Sequence, residues 1–219
     1  INAHRNAKSN AFAMYRNTIK EGAFAKAPMV SDPVNLFDSA PDGDGAAAVV
    51  LTSTARAADL HAMPVKIIGS GAATDTLALH DRSDPLYLSA VDVSMHKAYQ
   101  QAAITSKDVD LFELHDSFTI LSVLSLEAAG FCARGEGWRM AASSGESIGL
   151  KGTLPISTFG GLKARGNPVG ATGVYQAIEA ALQLRGQANT NQVAKAKIAA
   201  IQSLGGIAST AVTHLLTLA

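Results

Sequence analysis

The residues best placed to do chemistry lie in Phe159-Gly160-Gly161-Leu162-Lys163-Ala164-Arg165-Gly166-Asn167-Pro168-Val169-Gly170-Ala171-Thr172-Gly173, where five glycines and Pro168 surround Asn167. Glycine removes the Cβ wherever the chain takes unusual dihedrals or another group comes close, so this spacing predicts a constrained turn that something approaches. The apolar run from Val174 to Leu184 then predicts a helix. A turn feeding a helix N-terminus offers free N–H groups and a positive dipole end, which suit anionic or carbonyl oxygens. Asn167 adds an amide donor. Lys163 and Arg165 read as solvated loop charges, with phosphate groups as their only obvious ligands. A second candidate, His115, sits in Glu113-Leu114-His115-Asp116-Ser117-Phe118; alone, it reads as a histidine bonded inside a turn.

These residues need elements to hold them, and the chain supplies an alternating series. Residues 1 to 38 are polar and punctuated by Gly22, Pro28 and Pro33, with short helical stretches possible around Ala11 to Ile19 and Pro33 to Leu36; they read as an excursion rather than core. Asp42 to Gly45 forms a turn before Ala46 to Leu51, a continuous apolar run that predicts a buried central strand. A short helix over Ala55 to Ala62 ends at Pro64. Beyond it the pattern predicts a strand at Val65 to Gly69, a helix at Leu88 to Ala103, a strand at Val109 to Leu114 and a helix at Phe118 to Ala129. Gly130 to Lys151 reads as loop and Ile156 to Phe159 as a brief strand into the glycine turn. Lys197 to Gln202 and Ser209 to Leu218 read as neighbouring strands of a buried sheet. The fold class is α/β.

Composition narrows the function. The 219 residues carry no formal net charge, with 47% apolar and 16% charged residues, and no basic run marks a nucleic-acid surface. No apolar run is long enough to span a bilayer, and the start lacks a signal-peptide core, which predicts a cytoplasmic protein. Ile1 at the first position predicts a chain that begins mid-protein. Cys132 stands alone, so no internal disulfide or zinc-type cysteine cluster forms. His4, His61, His80, His96 and His214 lack metal-ligand spacing, and Asp42 and Asp44 read as a turn, not a calcium loop.

The pattern G-G-L-x-x-x-G-x-P-x-G-A-T-G resembles the late active-site loop of the thiolase superfamily, in the branch of sterol-carrier-protein thiolases and archaeal acetyl-CoA acetyltransferases. Glu113 to Phe118 resembles the H-D-x-F turn of that branch, Asp42 to Leu51 its D-G-A-A-A-V-V-L strand, and Gln202-Ser203-Leu204-Gly205-Gly206 its last glycine loop. The likeness implies a layered αβαβα fold of which this chain supplies the C-terminal half (63–219) and the end of the N-terminal half (1–62). It implies acyl transfer on coenzyme A thioesters, by Claisen-type formation or cleavage of a carbon–carbon bond, with no bound cofactor and no metal. The nucleophilic cysteine is then expected in a segment upstream of this chain, and the chain alone is not expected to be active.

The resemblance also implies the site: His115 and Asn167 as catalytic donors, and Gly160, Gly161, Gly166, Gly170, Ser203, Gly205 and Gly206 around the substrate. Most thiolases carry histidine where this chain has Asn167, whereas type III β-ketoacyl synthases pair a histidine with an asparagine to hold an enolate oxygen. Asparagine cannot take up and return a proton near neutral pH. Ser117 and Ser203 stand where the superfamily places its relay cysteine, and serine is a far weaker acid than a thiol. A retro-aldol lyase on a hydroxyacyl-CoA, resembling thiolase-like proteins that pair with a small OB-fold partner, or a non-catalytic subunit, is the alternative. A homodimer in lipid metabolism is the expected setting.

Overall fold

The computed structural model describes residues 1–142 and 146–219. Its helices and strands run α1 (Asn2–Ala7), α2 (Glu21–Phe24), β1 (Met29–Ser31), β2 (Val34–Asn35), α3 (Thr54–Leu60), β3 (Val65–Thr74) and α4 (Ser89–Ala102), then β4 (Leu111–Glu113), α5 (Thr119–Ala128), α6 (Gly137–Ala142), α7 (Thr172–Leu184), β5 (Ala199–Gly205) and β6 (Thr210–Leu218). The main sheet has the order β3-β6-β5-β4. β3 and β5 both run antiparallel to β6, and β4 lies parallel to β5.

Alternation along the strands makes this a three-layer sandwich. Phe112, Ala200, Leu204, Ala211 and Leu215 point to a core shared with Val91, Met95 and Ala98 of α4 and Leu126 of α5. Their neighbours Leu111, Ala199, Ile201 and Leu216 point the other way, onto Ala180 and Leu184 of α7. Helix α4 lies very close to β3 because Gly71 has no side chain; a Cβ there would fall on the carbonyl oxygen of Ser94. Ser94 in turn shares a hydrogen bond with Thr213 of β6, at 3.0 Å.

Several expectations need correction. Ala46 to Leu51 is not a buried strand: it has no regular secondary structure, and Val50 and Leu51 are 89% and 78% exposed. Its apolar side chains find no sheet to join among the described residues. Residues 1 to 15 are not an excursion, since His4, Asn6 and Ala7 are buried against the glycine loop. Ala11 to Ile19 forms turns rather than helix, and the Pro33 to Leu36 stretch contains the strand β2. Strand β3 runs ten residues, twice the expected length, paired along its whole extent to β6. Ile156 to Phe159 contributes a single bridge, Ile156 to Phe112, and the expected Gly130 to Lys151 loop contains α6, with Ser143 to Gly145 outside the described residues.

Replacing Gly71 by alanine forces α4 away from β3, and overpacking of this kind destabilises by about 3 kcal/mol. Urea denaturation followed by circular dichroism should show that loss, and an unchanged midpoint would contradict the close approach.

Candidate active site

Two turns carry the candidate residues, and one short extended segment ties them together. The first turn follows β4: Glu113 ends the strand, and Leu114, His115, Asp116 and Ser117 lead into α5. The second is the glycine-rich loop, whose residues Gly161–Arg165 wind into a single wide helical turn before Gly166 and Asn167. Between them runs Asp38 to Gly43. The Ala40 N–H donates to the Ser117 carbonyl at 2.7 Å, and the Asn167 N–H donates to the carbonyl of Pro41, the next residue, at 2.9 Å. The Gly43 N–H closes the pairing by donating to the Asn167 carbonyl at 3.1 Å. Adjacent Cα atoms lie about 3.8 Å apart, so the His115 and Asn167 turns dock side by side on one strand-like segment.

Asp116 makes the second connection. Its carboxylate is buried beneath the loop, accepting the Leu162 N–H at 2.7 Å and the Ser157 hydroxyl at 3.2 Å. Burial pushes this carboxyl above the ordinary aspartate range, against the pull of those donors and of the Arg165 charge. Here is what approaches the glycines: a Cβ on Gly161, whose φ is +55°, would fall inside the Asp116 carboxylate. At Gly160, with φ +109°, a Cβ would lie 2.6 Å from the Ala7 Cβ of α1. Gly166 faces the Met14 sulfur, and the Met14 and Tyr15 N–H groups donate to the carbonyls of Arg165 and Ala164.

Lys163 and Arg165 are not solvated; both side chains are buried, which corrects the sequence reading. Arg165 Nε lies 2.7 Å from Glu179 Oε1 of α7, and its guanidinium stacks over Tyr175 at 4.7 Å. Glu113, whose carboxylate accepts the Thr158 N–H at 2.9 Å and the Thr158 hydroxyl, belongs to the same cluster. Burial drives Glu179 and Glu113 upward, with Arg165 opposing it. Asp116 shares this direction, so burial favours the neutral form of all three carboxyls and the Arg165 charge opposes it.

The donors themselves are available. Asn167 Oδ1 accepts the Val169 N–H at 3.1 Å; because that partner can only donate, the amide oxygen is fixed inward and Nδ2 is left to donate elsewhere. His115 Nδ1 is buried without a partner, and burial, reinforced by Arg165, pushes the imidazole down to about 4. His115 is therefore neutral at pH 7.

The remaining predicted residues scatter more widely. Ser203 is half-buried on β5 beside Gly173 of α7, and a Cβ on Gly173 would sit 3.5 Å from it. Gln176 anchors this junction by donating to the Gln202 carbonyl at 2.8 Å. Gly170 borders open space. Gly205 and Gly206 are exposed at the β5–β6 hairpin, Gly205 paired with Thr210. Sequence reasoning missed Asp38 to Gly43 as the connecting segment, and it missed Asn6, Asn10 and Asn191, whose side-chain amides bond the backbone of 156 to 159. Asparagines spaced along a polar stretch were the only signal. Among the described residues no cluster of His, Cys, Asp or Glu is placed to hold a metal, and no helix is long and apolar enough to cross a membrane. Cys132 is half-buried against the α4–α5 core, and burial, with Glu127 and Glu136 nearby, pushes its thiol up to about 11.

A family model described as "Thiolase C-terminal domain-like" matches residues 71–218. The chain belongs to this family. This thiolase-like chain is 39% identical to acetyl-CoA acetyltransferase of Methanothermobacter thermautotrophicus over 97% of its own length and 55% of that protein. It is 30% identical to human sterol carrier protein 2 over 92% of its length and 38% of that protein. Among solved structures, the Ltp2-ChsH2(DUF35) aldolase superposes with a TM-score of 0.87 at 24% identity, over the whole chain and 56% of the other. A monomeric SCP2-thiolase like protein from Mycobacterium smegmatis gives 0.68 at 18% identity, over 98% of this chain and 44% of the other. The α/β thiolase-like fold expected from sequence is thus the fold found. The chain spans about half the length of the curated relatives it matches.

The neutral, half-buried His115 fixes a pH dependence. Its folded pKa of about 4 lies below the unfolded value near 6.5, so the unfolded chain binds the extra proton between those values. Stability from this residue is full above pH 6.5 and lost as pH falls toward 4. Urea midpoints measured from pH 4 to 7 should vary less steeply for His115→Gln than for the unaltered chain; parallel profiles would place His115 in solvent.

Proposed function

We propose that this thiolase-like chain contributes the enolate-stabilising face of an acyltransferase acting on coenzyme A thioesters. The observation that carries the reading is the fixed orientation of Asn167, whose Oδ1 is held by the Val169 N–H so that Nδ2 remains a free donor, on a turn docked beside that of His115. In this reading the imidazole N–H of neutral His115 and the Nδ2–H of Asn167 donate to one thioester oxygen as it gains negative charge. Preorganised donors of this kind act chiefly on the transition state. In this reading the acyl group rides on a cysteine supplied upstream, Cys132 being half-buried against the α4–α5 core. Gly160, Gly161 and Gly166 shape the loop, Gly170, Ser203, Gly205 and Gly206 border the substrate, and the coenzyme A thioester is substrate rather than resident cofactor. The assembled protein is a cytoplasmic homodimer of lipid metabolism in this reading.

A second reading has a specific observation in its favour. Ser117 and Ser203 occupy the positions of the expected relay thiols, and neither Asn167 nor a serine readily moves a proton near pH 7. A retro-aldol cleavage needs the enolate oxygen held but no acyl-cysteine, and the fold neighbour Ltp2-ChsH2(DUF35) is titled an aldolase. A small OB-fold partner would accompany that activity. Chemistry separates the two: acetyl-CoA leaves an acyl group on a cysteine in the first reading, and a hydroxyacyl-CoA releases an aldehyde or ketone in the second. Neither product from the assembled protein would leave a structural subunit.

Asn167→Ala should lower turnover by about 10²- to 10³-fold with little change in thioester affinity, measured by steady-state kinetics and equilibrium binding. Unchanged turnover would remove Asn167 from the site.

A further inference from the structure

One exposed residue beside the Asn167 donor carries unusual backbone strain. Among the described non-glycine residues with positive φ, Val169, at +47°, is the one with a β-branched side chain. Branching at Cβ makes the left-handed region costly, and such a residue found there is an outlier. Core packing does not account for it, because Val169 is 75% exposed. Nor does the placing of glycine: Gly170, the next residue, does not take the left-handed conformation, and it has open space where a Cβ would stand.

The surroundings hold the strain in place, as a conformation of this kind requires. Asn167 is bonded through both its N–H and its carbonyl to residues 41 and 43. The Pro168 ring, which fixes its own φ, lies so close to Gly45 that a Cβ there would stand 3.0 Å from the Pro168 Cβ. Beyond Val169, the Ala171 N–H donates to the Pro168 carbonyl at 3.1 Å, and Thr172, which opens α7, is fully buried. Both ends of the turn are thus fixed, and Val169 takes the dihedrals left to it. The result is one hydrogen bond: its N–H donates to Asn167 Oδ1 at 3.1 Å and closes an Asx turn.

What the strain secures is a direction. Relaxation of Val169 to negative φ would swing its N–H away and leave the amide oxygen of Asn167 without this partner. The carboxamide could then rotate and present its oxygen, an acceptor only, to the thioester oxygen in place of Nδ2. We propose that Val169 is a positioning residue whose left-handed backbone keeps the Asn167 carboxamide turned with Nδ2 toward the substrate oxygen. This rests on the enolate-stabilising reading of Asn167. Val169 touches no reacting atom in it, since its N–H is occupied by Oδ1. A preorganised donor acts chiefly on the transition state, so loss of the positioning falls on kcat rather than on KM.

Three variants of the assembled protein test this. Val169→Pro sets φ near −65° and removes the N–H; Val169→Gly keeps the N–H but frees the backbone; Val169→Asn enters the left-handed region readily. Val169→Pro should lower kcat by about tenfold, less than deletion of the donor itself, with little change in KM, and Val169→Gly should lower it by less. Nitrogen-15 relaxation of the Asn167 side-chain amide should show a lower order parameter in both. Val169→Asn should recover most of the turnover and, by relieving the strain, raise the melting temperature by about 2–4 °C. Circular dichroism establishes that each variant is folded. A melting temperature in Val169→Asn no higher than that of the unaltered protein, or an Asn167 amide as ordered in Val169→Gly and Val169→Pro as before, would overturn the assignment. Unchanged turnover in Asn167→Ala would instead remove the enolate reading, and the melting and relaxation results would still decide whether Val169 orients the amide.

Discussion

The buried carboxylate of Asp116 is the constraint on which the site depends. It comes from the turn after β4, lies beneath the glycine-rich loop and takes the Leu162 N–H and the Ser157 hydroxyl. A carboxylate in a low-dielectric position is tolerable only when donors surround it, and glycine at 161 is what lets them come that close. The glycines are thus the means by which one part of the protein enters another. The Asp38 to Gly43 segment does the same work from the outer side, bonding Ser117 and Asn167 through adjacent residues.

Behind the loop, Arg165 extends this anchoring into the sandwich. Its pairing with Glu179 and its stacking on Tyr175 fix the loop to α7, which is itself held to β5 through Gln176. Removing one member of a buried ion pair leaves an uncompensated charge, so such pairs specify geometry more than they add stability. A donor group two residues further on, Asn167, inherits that rigidity. Preorganisation of this kind is what oxyanion stabilisation needs, because donors that must reorganise during the reaction lose their advantage.

Much of this was readable from the chain. The periodicity of α4 and α7 and the apolar runs of β5 and β6 reported burial that the chain itself supplies. The glycine spacing reported close approach, and the order of motifs reported the family. The failures share a cause. Ala46 to Leu51 declares that a surface prefers burial without saying which surface buries it, and none of the described residues offers one. Lys163 and Arg165 looked like surface charges because lysine and arginine are rarely buried unpaired; the partner of Arg165 is Glu179, fourteen positions on and in another element. Asp116 was visible in its motif, but that its carboxylate would fill the space left by Gly161 depends on tertiary contacts that no local pattern records.

Hydrogen exchange read by mass spectrometry tests most directly whether Asp116 holds the loop in place. In an Asp116→Ala variant, the account predicts that amides from Ser157 to Asn167 lose protection while those of β5, β6 and the C-terminal half of α7 keep it. Unchanged protection across the loop, with the Leu162 amide as slow as before, would contradict the claim that this carboxylate organises the site.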